Sequence, residues 1–341
     1  MNNQIVISTP PHIKSKRTSK GIMLDVIISL LPASIAAIVY YRLYALMLIL
    51  VSVVCAVLAE LIYFFIANGG YRNKFKNALN VCKKWLKQFD FTSAITGLIL
   101  ALILPANTKW YEIAIGAIFA IVIVKMLFGG TGKNLVNPAA IARAVLFISF
   151  SLSAGVILTD NGSLTTSATF LSGSLLQGST EGATLLQLFL GNGLPSAAIG
   201  ESCKVAILLG YLYLCVRKVI KWWQPLLYIV LSGFCSVCLA ATAEGATFDI
   251  TLFPYYILSG GLMFGAVFMA TDYVTSPKGK YGQLVYYILL ALLTSLLRHF
   301  TKIEVVSFAI LLANTVVPLI DIYITRKPFG YQRAKSPKEA K

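Results

Sequence analysis

Residues 43–67 read LYALMLILVSVVCAVLAELIYFFIA and contain a single charged side chain, that of Glu60. A helix that crosses the hydrocarbon layer of a membrane, about 30 Å thick, needs roughly 18 or more such residues. The residues must also be helical, because every backbone polar group has to be paired within the segment. A second long apolar run covers 111–127. These stretches predict an integral membrane protein.

The composition of the whole chain agrees with this prediction. Hydrophobic residues make up 57% of the 341 positions and charged residues only 12%, whereas a soluble domain has about 25% charged residues. The net charge of +16 is a level at which nucleic-acid binding has to be considered. However, the Lys and Arg residues lie in short segments between apolar runs, where they orient helices in a membrane. We therefore expect the lipid bilayer, and no nucleic acid, as a partner.

The apolar runs predict an all-α membrane protein with about ten transmembrane helices. The third and ninth runs are short, and each is expected to be tilted, broken or partly re-entrant. The predicted spans cover residues 23–41, 43–67, 92–106, 111–128, 141–157, 203–217, 224–242, 253–271, 283–298 and 303–325.

The distribution of basic residues predicts the orientation of these spans. If the N-terminus is cytoplasmic, the cytoplasmic segments hold 23 of the 29 Lys and Arg residues and the outer segments hold five. Lys125 remains inside a span. Since Lys and Arg are enriched on the cytoplasmic side of membrane proteins, we expect both termini in the cytoplasm.

The connection 158–202 is the longest between two predicted spans, and it contains no Lys or Arg. It is rich in Gly, Ser and Thr and belongs on the outer side in this topology. Loops of this length are uncommon unless they carry function or are disordered. We therefore expect it to carry function.

The chain offers few residues for hydrolytic or metal chemistry. Its only histidines are His12 and His299, so no catalytic triad or histidine-rich metal site is expected, and no catalytic or metal-ligating residue is assigned. The Cys235-x-x-Cys238 pair stands alone within an apolar run, while a zinc site usually needs four ligands. Packing of the cysteines as small hydrophobes is favoured, and a half-site shared with another chain is the alternative.

The first candidate motif is the glycine-rich turn 128–140, FGGTGKNLVNPAA. Glycine permits positive φ and a close approach to a ligand or neighbour. The turn is not a phosphate-binding P-loop, because no Gly-Lys-Ser/Thr element is present. Asn137-Pro138 can be read in two ways: a turn with a proline-initiated helix, or a broken helix that lines a cofactor or ion path.

The second candidate motif is 260–277, GGLMFGAVFMATDYVTSP. Gly261 and Gly265 form a G-x-x-x-G pair, for which close helix packing is the favoured interpretation. Asp272 lies at a predicted cytoplasmic helix end, where it is expected to be solvated. Asp321, late in the last span, is a candidate for an ion path, because an acid within a membrane is costly.

The third candidate motif is the outer-loop stretch 178–186, GSTEGATLL. Taken alone, it reads as a turn of small residues in which Thr184 caps the N-terminus of a helix.

Together and in this order, the three motifs resemble the D subunit of the Rnf electron-transport complex, which is related to the B subunit of the sodium-translocating NADH:quinone reductase. The resemblance runs from about residue 20 to 327. The short N-terminal segment favours the Rnf protein. The most specific parts are 129–134, 137–139 with Arg143, 182–184, 198–202, 263–265, 269–272 and 275–277.

The resemblance implies a covalently attached FMN. In this family the Thr of the Gly-Ala-Thr motif carries FMN through a phosphoester bond, and that Thr matches Thr184, preceded by Gly182 and Ala183. The family usually has Asp and Ser or Thr where this chain has Gly178 and Glu181. The family also allows a second, noncovalent flavin such as riboflavin within the bundle, although no residue of the sequence locates it.

The resemblance further implies two inverted repeats of five helices, as in the urea transporters. The chain then divides into a cytoplasmic segment 1–22, a membrane domain 23–325 and a basic cytoplasmic tail 326–341. Within the domain, the repeats cover about 23–157 and 203–325, on either side of the flavin loop 158–202. Asn314 and Pro318 are weak counterparts of Asn137-Pro138.

The function implied is that of an FMN-carrying subunit of an ion-translocating ferredoxin:NAD⁺ oxidoreductase in the bacterial cell membrane, not catalytic alone. The coupled ion is Na⁺ or H⁺. Its partners are the other Rnf subunits, notably the outer FMN-carrying and the cytoplasmic NADH-binding subunits, and a flavin transferase. Two alternatives are a solute channel or transporter on the same scaffold, and a structural anchor for the other subunits.

Overall fold

The computed structural model describes residues 18–68, 75–150, 155–159, 162–173, 175, 183–191, 193–242 and 248–324, without the side chains of 75–79. The described chain is largely helical. Its α-helices are α1 (Ser19–Tyr41), α2 (Leu43–Ala67), α3 (Phe75–Gln88), α4 (Thr92–Leu102), α5 (Trp110–Phe119), α6 (Pro138–Phe150), α7 (Phe170–Gly173), α8 (Leu185–Leu190), α9 (Lys204–Val216), α10 (Trp223–Ala240), α11 (Phe253–Leu258), α12 (Leu262–Phe264), α13 (Lys280–Thr301) and α14 (Val306–Ile324).

Two helices continue as π-helical segments. Ala120–Met126 follows α5, and Gly265–Met269 follows α12. Short 3₁₀ turns precede α9 and α11, at Ile199–Glu201 and Ile250–Leu252. The wider π turn leaves some carbonyl groups without their usual partner, and such segments are frequent at functional sites.

Five of the described helices are long and apolar enough to cross a membrane: α1, α2, α10, α13 and α14. The bent pair Ile250–Leu258 and Leu262–Met269, with 66° between its parts, makes a sixth if it counts as one span. Helices α4, α6 and α9 are apolar but shorter. Each predicted interval overlaps one of these helices or the segment Trp110–Met126. The helical membrane class is therefore confirmed, while the count of ten spans stays a prediction.

Three predicted spans can be compared in length with the structure. The third is short, as expected: α4 has 11 residues, about 16 Å at 1.5 Å per residue, which is half of the hydrocarbon layer. The ninth was wrongly expected to be short, because α13 runs from Lys280 to Thr301. The fifth, 141–157, was too long. Helix α6 ends at Phe150, and Gly155–Leu158 forms a strand.

This strand, β1, belongs to a small hairpin that the all-α expectation did not include. Strand β1 pairs antiparallel with β2 (Leu164–Ser167), with Val156 opposite Thr166. Gly162 has φ of +75° in the turn between the strands, a conformation that glycine adopts without strain. The sequence did contain a signal for it: an Asn-Gly dipeptide, here at 161–162, between two short stretches with several β-branched residues is typical of a hairpin.

Helix α4 joins the two ends of the bundle. At its start, Oγ1 of Thr92 lies 3.3 Å from Oγ1 of Thr131 in the glycine-rich turn. Just beyond its end, the carbonyl of Leu104 accepts a hydrogen bond of 3.0 Å from the N–H of Ile199. We call the end with residues 129–140 the turn end, and the end with the described residues between 155 and 201 the loop end.

Buried charges within the bundle are paired with polar groups. Nζ of Lys125 lies 3.0 Å from Oε1 of Glu60 and 2.6 Å from Oγ1 of Thr92. The hydroxyl of Ser93 donates to Oε2 of the same glutamate. Lys125 lies inside a predicted span, where a lone charge is costly. Its ion pair with the buried Glu60 explains how this charge is accommodated. At the loop end, Nη2 of Arg298 lies 3.4 Å from Oε2 of Glu304.

Replacement of Lys125 by Met should destabilise the protein by about 3–5 kcal/mol, because Glu60 would remain as an unpaired buried charge. The double variant Lys125→Met/Glu60→Gln should recover much of this loss. Thermal unfolding of the detergent-purified protein measures both effects. Equal Tm values for the single and double variants would contradict the assigned pairing.

Candidate functional site

Thr184 lies at the loop end, where its side chain caps the short helix α8. Its Oγ1 accepts a hydrogen bond of 3.3 Å from the N–H of Gln187. In return, Oε1 of Gln187 accepts from the N–H and from the hydroxyl of Thr184, at 3.0 and 3.1 Å. This reciprocal arrangement is a capping box. The interpretation of Thr184 as an N-cap is therefore confirmed.

The N-cap position leaves the hydroxyl of Thr184 accessible. Thr184 is exposed, whereas Ala183 is buried in a small apolar cluster with Leu188 and Tyr256. Ala183 thus anchors the start of α8 against α11, while the next residue faces outward. Gly182, the other predicted site residue, lies outside the described residues, as do Gly178 and Glu181.

A cavity of about 400 Å³, counting the part open to solvent, lies beside the second half of α8, next to Leu188 and Gly191. Its apolar wall includes Leu171, Leu194 and Leu258. Its polar side includes Ser196, Glu201, Ser202, Lys204 and Ser259. We call it the outer cavity. The sequence placed no Lys or Arg in the outer loop, but the fold brings Lys204, the first residue of α9, to this cavity.

At the turn end, Asn137 and Pro138 start α6. Oδ1 of Asn137 accepts hydrogen bonds from the N–H groups of Ala139 and Ala140, at 3.0 and 3.4 Å. Pro138 follows as the first helical residue, where its missing N–H costs nothing. The simpler of the two interpretations of Asn137-Pro138 is therefore correct for the local structure.

Asn314 contacts Asn137 across the bundle, since the two helices pack against each other. The Asn314 amide lies 2.8 Å from the hydroxyl of Tyr286. In the orientation that satisfies the hydrogen bonds, the amide nitrogen of Asn314 donates to the Tyr286 hydroxyl. Its amide oxygen accepts a hydrogen bond of 3.2 Å from the N–H of Asn137. The two residues that the sequence singled out as weak counterparts thus meet at a buried polar contact.

Asp272 is not the freely solvated acid that the sequence suggested. Its carboxylate accepts hydrogen bonds from the N–H of Val274, at 3.4 Å, and from the hydroxyl of Thr275, at 3.2 Å. Burial raises the pKa of Asp272, and these hydrogen bonds oppose the rise because they favour the charged form. Asp321 has a different role: it accepts a hydrogen bond of 3.3 Å from the N–H of Lys278 and so joins α14 to the segment that precedes α13.

The glycine pair of the second motif serves two purposes. At Gly265, a Cβ would lie 2.4 Å from Cγ1 of Val306, so this glycine permits close packing on α14, as predicted. At Gly261, a Cβ would instead lie 3.0 Å from Oε2 of Glu201. Gly261 therefore makes room for a buried carboxylate rather than for a neighbouring helix.

The first two motifs meet around a cavity at the turn end, which we call the motif cavity. It encloses about 910 Å³, counting the part open to solvent. Both π-helical segments contribute to it, as do α1 and α4. Its lining includes Met23, Val26, Thr92, Ile95, Thr96, Ile99, Lys125, Thr131, Gly132, Asn134, Asn137, Pro138, Ala139, Val267, Phe268, Thr271 and Asp272.

The motif cavity combines apolar walls with a few polar groups. Ile95, Ile99 and Phe268 supply apolar surface. Oδ1 of Asn134 is buried and has no hydrogen-bond partner among the described residues. A buried acceptor of this kind is costly unless a donor reaches it. The sequence supplied both motifs but did not show that they enclose one cavity, because the motifs are more than 120 residues apart.

Comparison with known proteins agrees with the motifs. Residues 6–330 match a family described as the NQR2, RnfD, RnfE family. The chain is 35% identical to the D subunit of the Na(+)-translocating ferredoxin:NAD(+) oxidoreductase complex of Acetobacterium woodii, over 99% of this chain and 98% of that protein. It is 33% identical to the D subunit of the proton-translocating ferredoxin:NAD(+) oxidoreductase complex of Clostridium ljungdahlii, over 97% and 98%.

A third relative is the D subunit of the ion-translocating oxidoreductase complex of Vibrio cholerae, with 30% identity over 95% of this chain and 99% of that protein. The resemblance inferred from the motifs is thereby confirmed across nearly the whole chain. Together with the long apolar helices, it identifies a multi-pass membrane protein.

Replacement of Asn137 by Ala should lower the free energy of unfolding by about 0.5–2 kcal/mol, because two N–H groups of α6 lose their acceptor. Asn137→Ser should retain most of the stability, since a serine hydroxyl can cap the helix. Thermal unfolding in detergent measures the difference. Asn68→Ala, at an exposed helix end, is the matched control and should have little effect.

Proposed function

This chain belongs to the NQR2, RnfD, RnfE family, and we propose that it is the D subunit of an ion-translocating ferredoxin:NAD⁺ oxidoreductase in the bacterial cell membrane. It carries FMN on Thr184 through a phosphoester bond. Electrons pass through this flavin between an outer flavoprotein subunit and other carriers of the complex, coupled to the export of Na⁺ or H⁺. The chain is not catalytic alone.

The observation that carries the proposal is the exposed Thr184 hydroxyl within the Gly-Ala-Thr motif, in a chain whose relatives are named as D subunits. The geometry is compatible with the bond. A phosphoester keeps Oγ1, which can still accept from the N–H of Gln187, and removes only the O–H donated to Oε1 of that residue. The helix cap can thus survive attachment. The flavin itself supplies the redox chemistry.

We also propose that the motif cavity holds the second, noncovalent flavin. Its apolar walls suit a planar ring system. The unpartnered Oδ1 of Asn134 can accept a hydrogen bond from a ring N–H, and the Lys125 ammonium lies at the same cavity. The glycine-rich turn supports the site: Gly129, Gly130 and Gly132 all have positive φ, so the turn can approach a ligand closely.

The packing of the helices supports the inverted-repeat architecture. In the first half α2 packs against α4 and α5, and in the second half α10 packs against α11 and α13. The first helices of the halves, α1 and α9, pack on each other, as do the fifth helices, α6 and α14. Both pairs run in opposite directions, since α1 and α6 start at the turn end and α9 and α14 start at the loop end.

The buried ion pairs support the same architecture. Lys125 lies near the end of the segment Trp110–Met126, and Arg298 lies near the end of α13. These segments are the fourth predicted spans of the two halves, and each cation pairs with a buried glutamate. The first pair is at the turn end and the second at the loop end, as an inversion requires. We assign the turn end to the cytoplasm because the exposed Lys83, Lys84 and Lys87 of α3 lie there. Lys and Arg are enriched on the cytoplasmic side of membrane proteins.

Covalent attachment can be tested with Thr184→Val, which removes the hydroxyl but retains the shape of the side chain. When coexpressed with a flavin transferase, the wild-type chain should give a fluorescent band under ultraviolet light after denaturing electrophoresis, and the variant should give none. Thr166→Val, at an exposed threonine of the same loop, is the control and should remain fluorescent. A colourless wild-type band would refute the proposal.

The noncovalent site can be tested with Thr96→Trp, which places an indole in the motif cavity. Acid-extractable flavin per mole of protein should fall several-fold, while the fluorescent band on Thr184 should persist. Thr315→Trp, on an exposed face of α14, is the control with the same change in size. Unchanged extractable flavin in a folded Thr96→Trp protein would exclude this cavity.

A further inference from the structure

Helix α3 lies at the turn end, between two helices of the bundle, and the proposed function does not use it. It has 14 residues and is therefore about 21 Å long at 1.5 Å per residue. It packs against α2 and leads into α4, which starts beside the glycine-rich turn. Nζ of Lys20 in α1 donates a hydrogen bond of 2.9 Å to the carbonyl of Lys87 near the end of α3. Helix α3 is thus held at the ends of α1, α2 and α4.

One face of α3 packs on the protein. Trp85 is buried, and Val81 and Cys82 are half-buried. The ring of Trp85 contacts that of Phe89, with 4.8 Å between the centroids. Since residues four positions apart lie on the same side of a helix, Val81, Trp85 and Phe89 form one apolar stripe toward the bundle. This stripe holds α3 in place and leaves its other face free.

The opposite face of α3 is basic. Lys83, Lys84 and Lys87 are all exposed, and they are neighbours because residues three and four positions apart share a helix surface. Within the described part of the chain none of the three belongs to an ion pair, and α3 itself contains no Asp or Glu. The acid nearest in sequence, Asp90, already accepts a hydrogen bond of 2.7 Å from the hydroxyl of Thr92. The counter-charge for this face therefore has to come from outside the described chain.

An exposed leucine distinguishes this face from one that is merely solvated. Leu86 is 62% exposed and lies between the buried Trp85 and the exposed Lys87. An apolar side chain flanked by lysines is typical of helices that lie in the interfacial layer of a membrane, where the lysines reach the headgroups. Helices α1 and α2 are long enough to cross a membrane, and each has an end beside α3. The helix therefore lies at the depth of the lipid headgroups.

We propose that the exposed face of α3 binds the acidic phospholipids of the leaflet at the turn end. Its three lysines contact the headgroup phosphates, and Leu86 enters the upper part of the acyl-chain layer. The charges are complementary, because an acidic headgroup is an anion and each lysine close to such a surface strengthens binding. Lys20, whose ammonium caps the end of the helix, adds a fourth cation at the same place.

This lipid contact restrains the start of α4. Helix α3 leads directly into α4, and Thr92, the first residue of α4, lines the motif cavity. A lipid that holds α3 should therefore stabilise this end of the bundle against unfolding. The inference does not depend on the flavin proposed at Thr184.

The test is a titration of the full chain, purified in detergent, with phosphatidylglycerol, which is acidic, or with phosphatidylcholine, which has no net charge. The Tm of the wild type should rise with phosphatidylglycerol and much less with phosphatidylcholine. In the triple variant Lys83→Gln/Lys84→Gln/Lys87→Gln, the phosphatidylglycerol concentration for half of this rise should increase roughly 10- to 100-fold, since each lysine near an acidic surface contributes about fivefold to the affinity. High salt should weaken the response of the wild type in the same direction.

Two further variants separate the basic face from general charge and from the apolar contact. Lys218→Gln/Lys278→Gln/Lys280→Gln removes three exposed lysines of other segments at the turn end and should respond to phosphatidylglycerol as the wild type does. Leu86→Ser leaves the charge unchanged and should weaken the response to both lipids.

Equal responses to phosphatidylglycerol in the wild type and the α3 triple variant would overturn the inference. If that variant kept the lipid response but failed to assemble with the other subunits of the complex, the basic face would be a protein interface, and the inference would likewise be wrong. Neither outcome would affect the proposed attachment of FMN, which the fluorescent band on Thr184 tests separately.

Discussion

The structure depends on one constraint: a charge or a free backbone carbonyl inside an apolar bundle must find its partner within the bundle. At the loop end, the interruption between α11 and α12 frees the carbonyl groups of Ser259 and Gly260. The guanidinium of Arg298 and the ammonium of Lys204 donate to them, at 3.4 and 3.1 Å. Without these cations the break would leave polar backbone groups unpaired at a position that water reaches poorly.

The same constraint explains the glycines at the break. A Cβ on Gly260 would lie 1.9 Å from Oε2 of Glu304, so a larger residue would displace the carboxylate that balances Arg298. Gly260 also has φ of +65°, a conformation that glycine adopts at no steric cost. The break, its glycines and the pair of Arg298 with Glu304 are therefore parts of one arrangement.

The two candidate sites lie at opposite ends of this frame. Thr184 is held at the loop end by a small apolar cluster that includes Ala183 and Leu188. The motif cavity is held at the turn end by the caps of Asn137 and Asp272. Helix α1 extends from one end to the other, because Met23 lines the motif cavity and the hydroxyl of Tyr41 donates to the carbonyl of Val156 in β1.

The sequence by itself determined the membrane class, the approximate positions of the apolar helices, the family and the role of Thr184 as a helix cap. These follow from composition, from apolar runs and from local motifs, which act over a few residues. Only the tertiary structure decided that α13 is long, that β1 replaces the end of the fifth predicted span, and that Glu60 pairs with Lys125. It alone brought the two glycine-rich motifs to one cavity and Lys204 to another. The physical reason is that burial and pairing join residues far apart in the chain, and no local pattern records which distant partner a buried charge will meet.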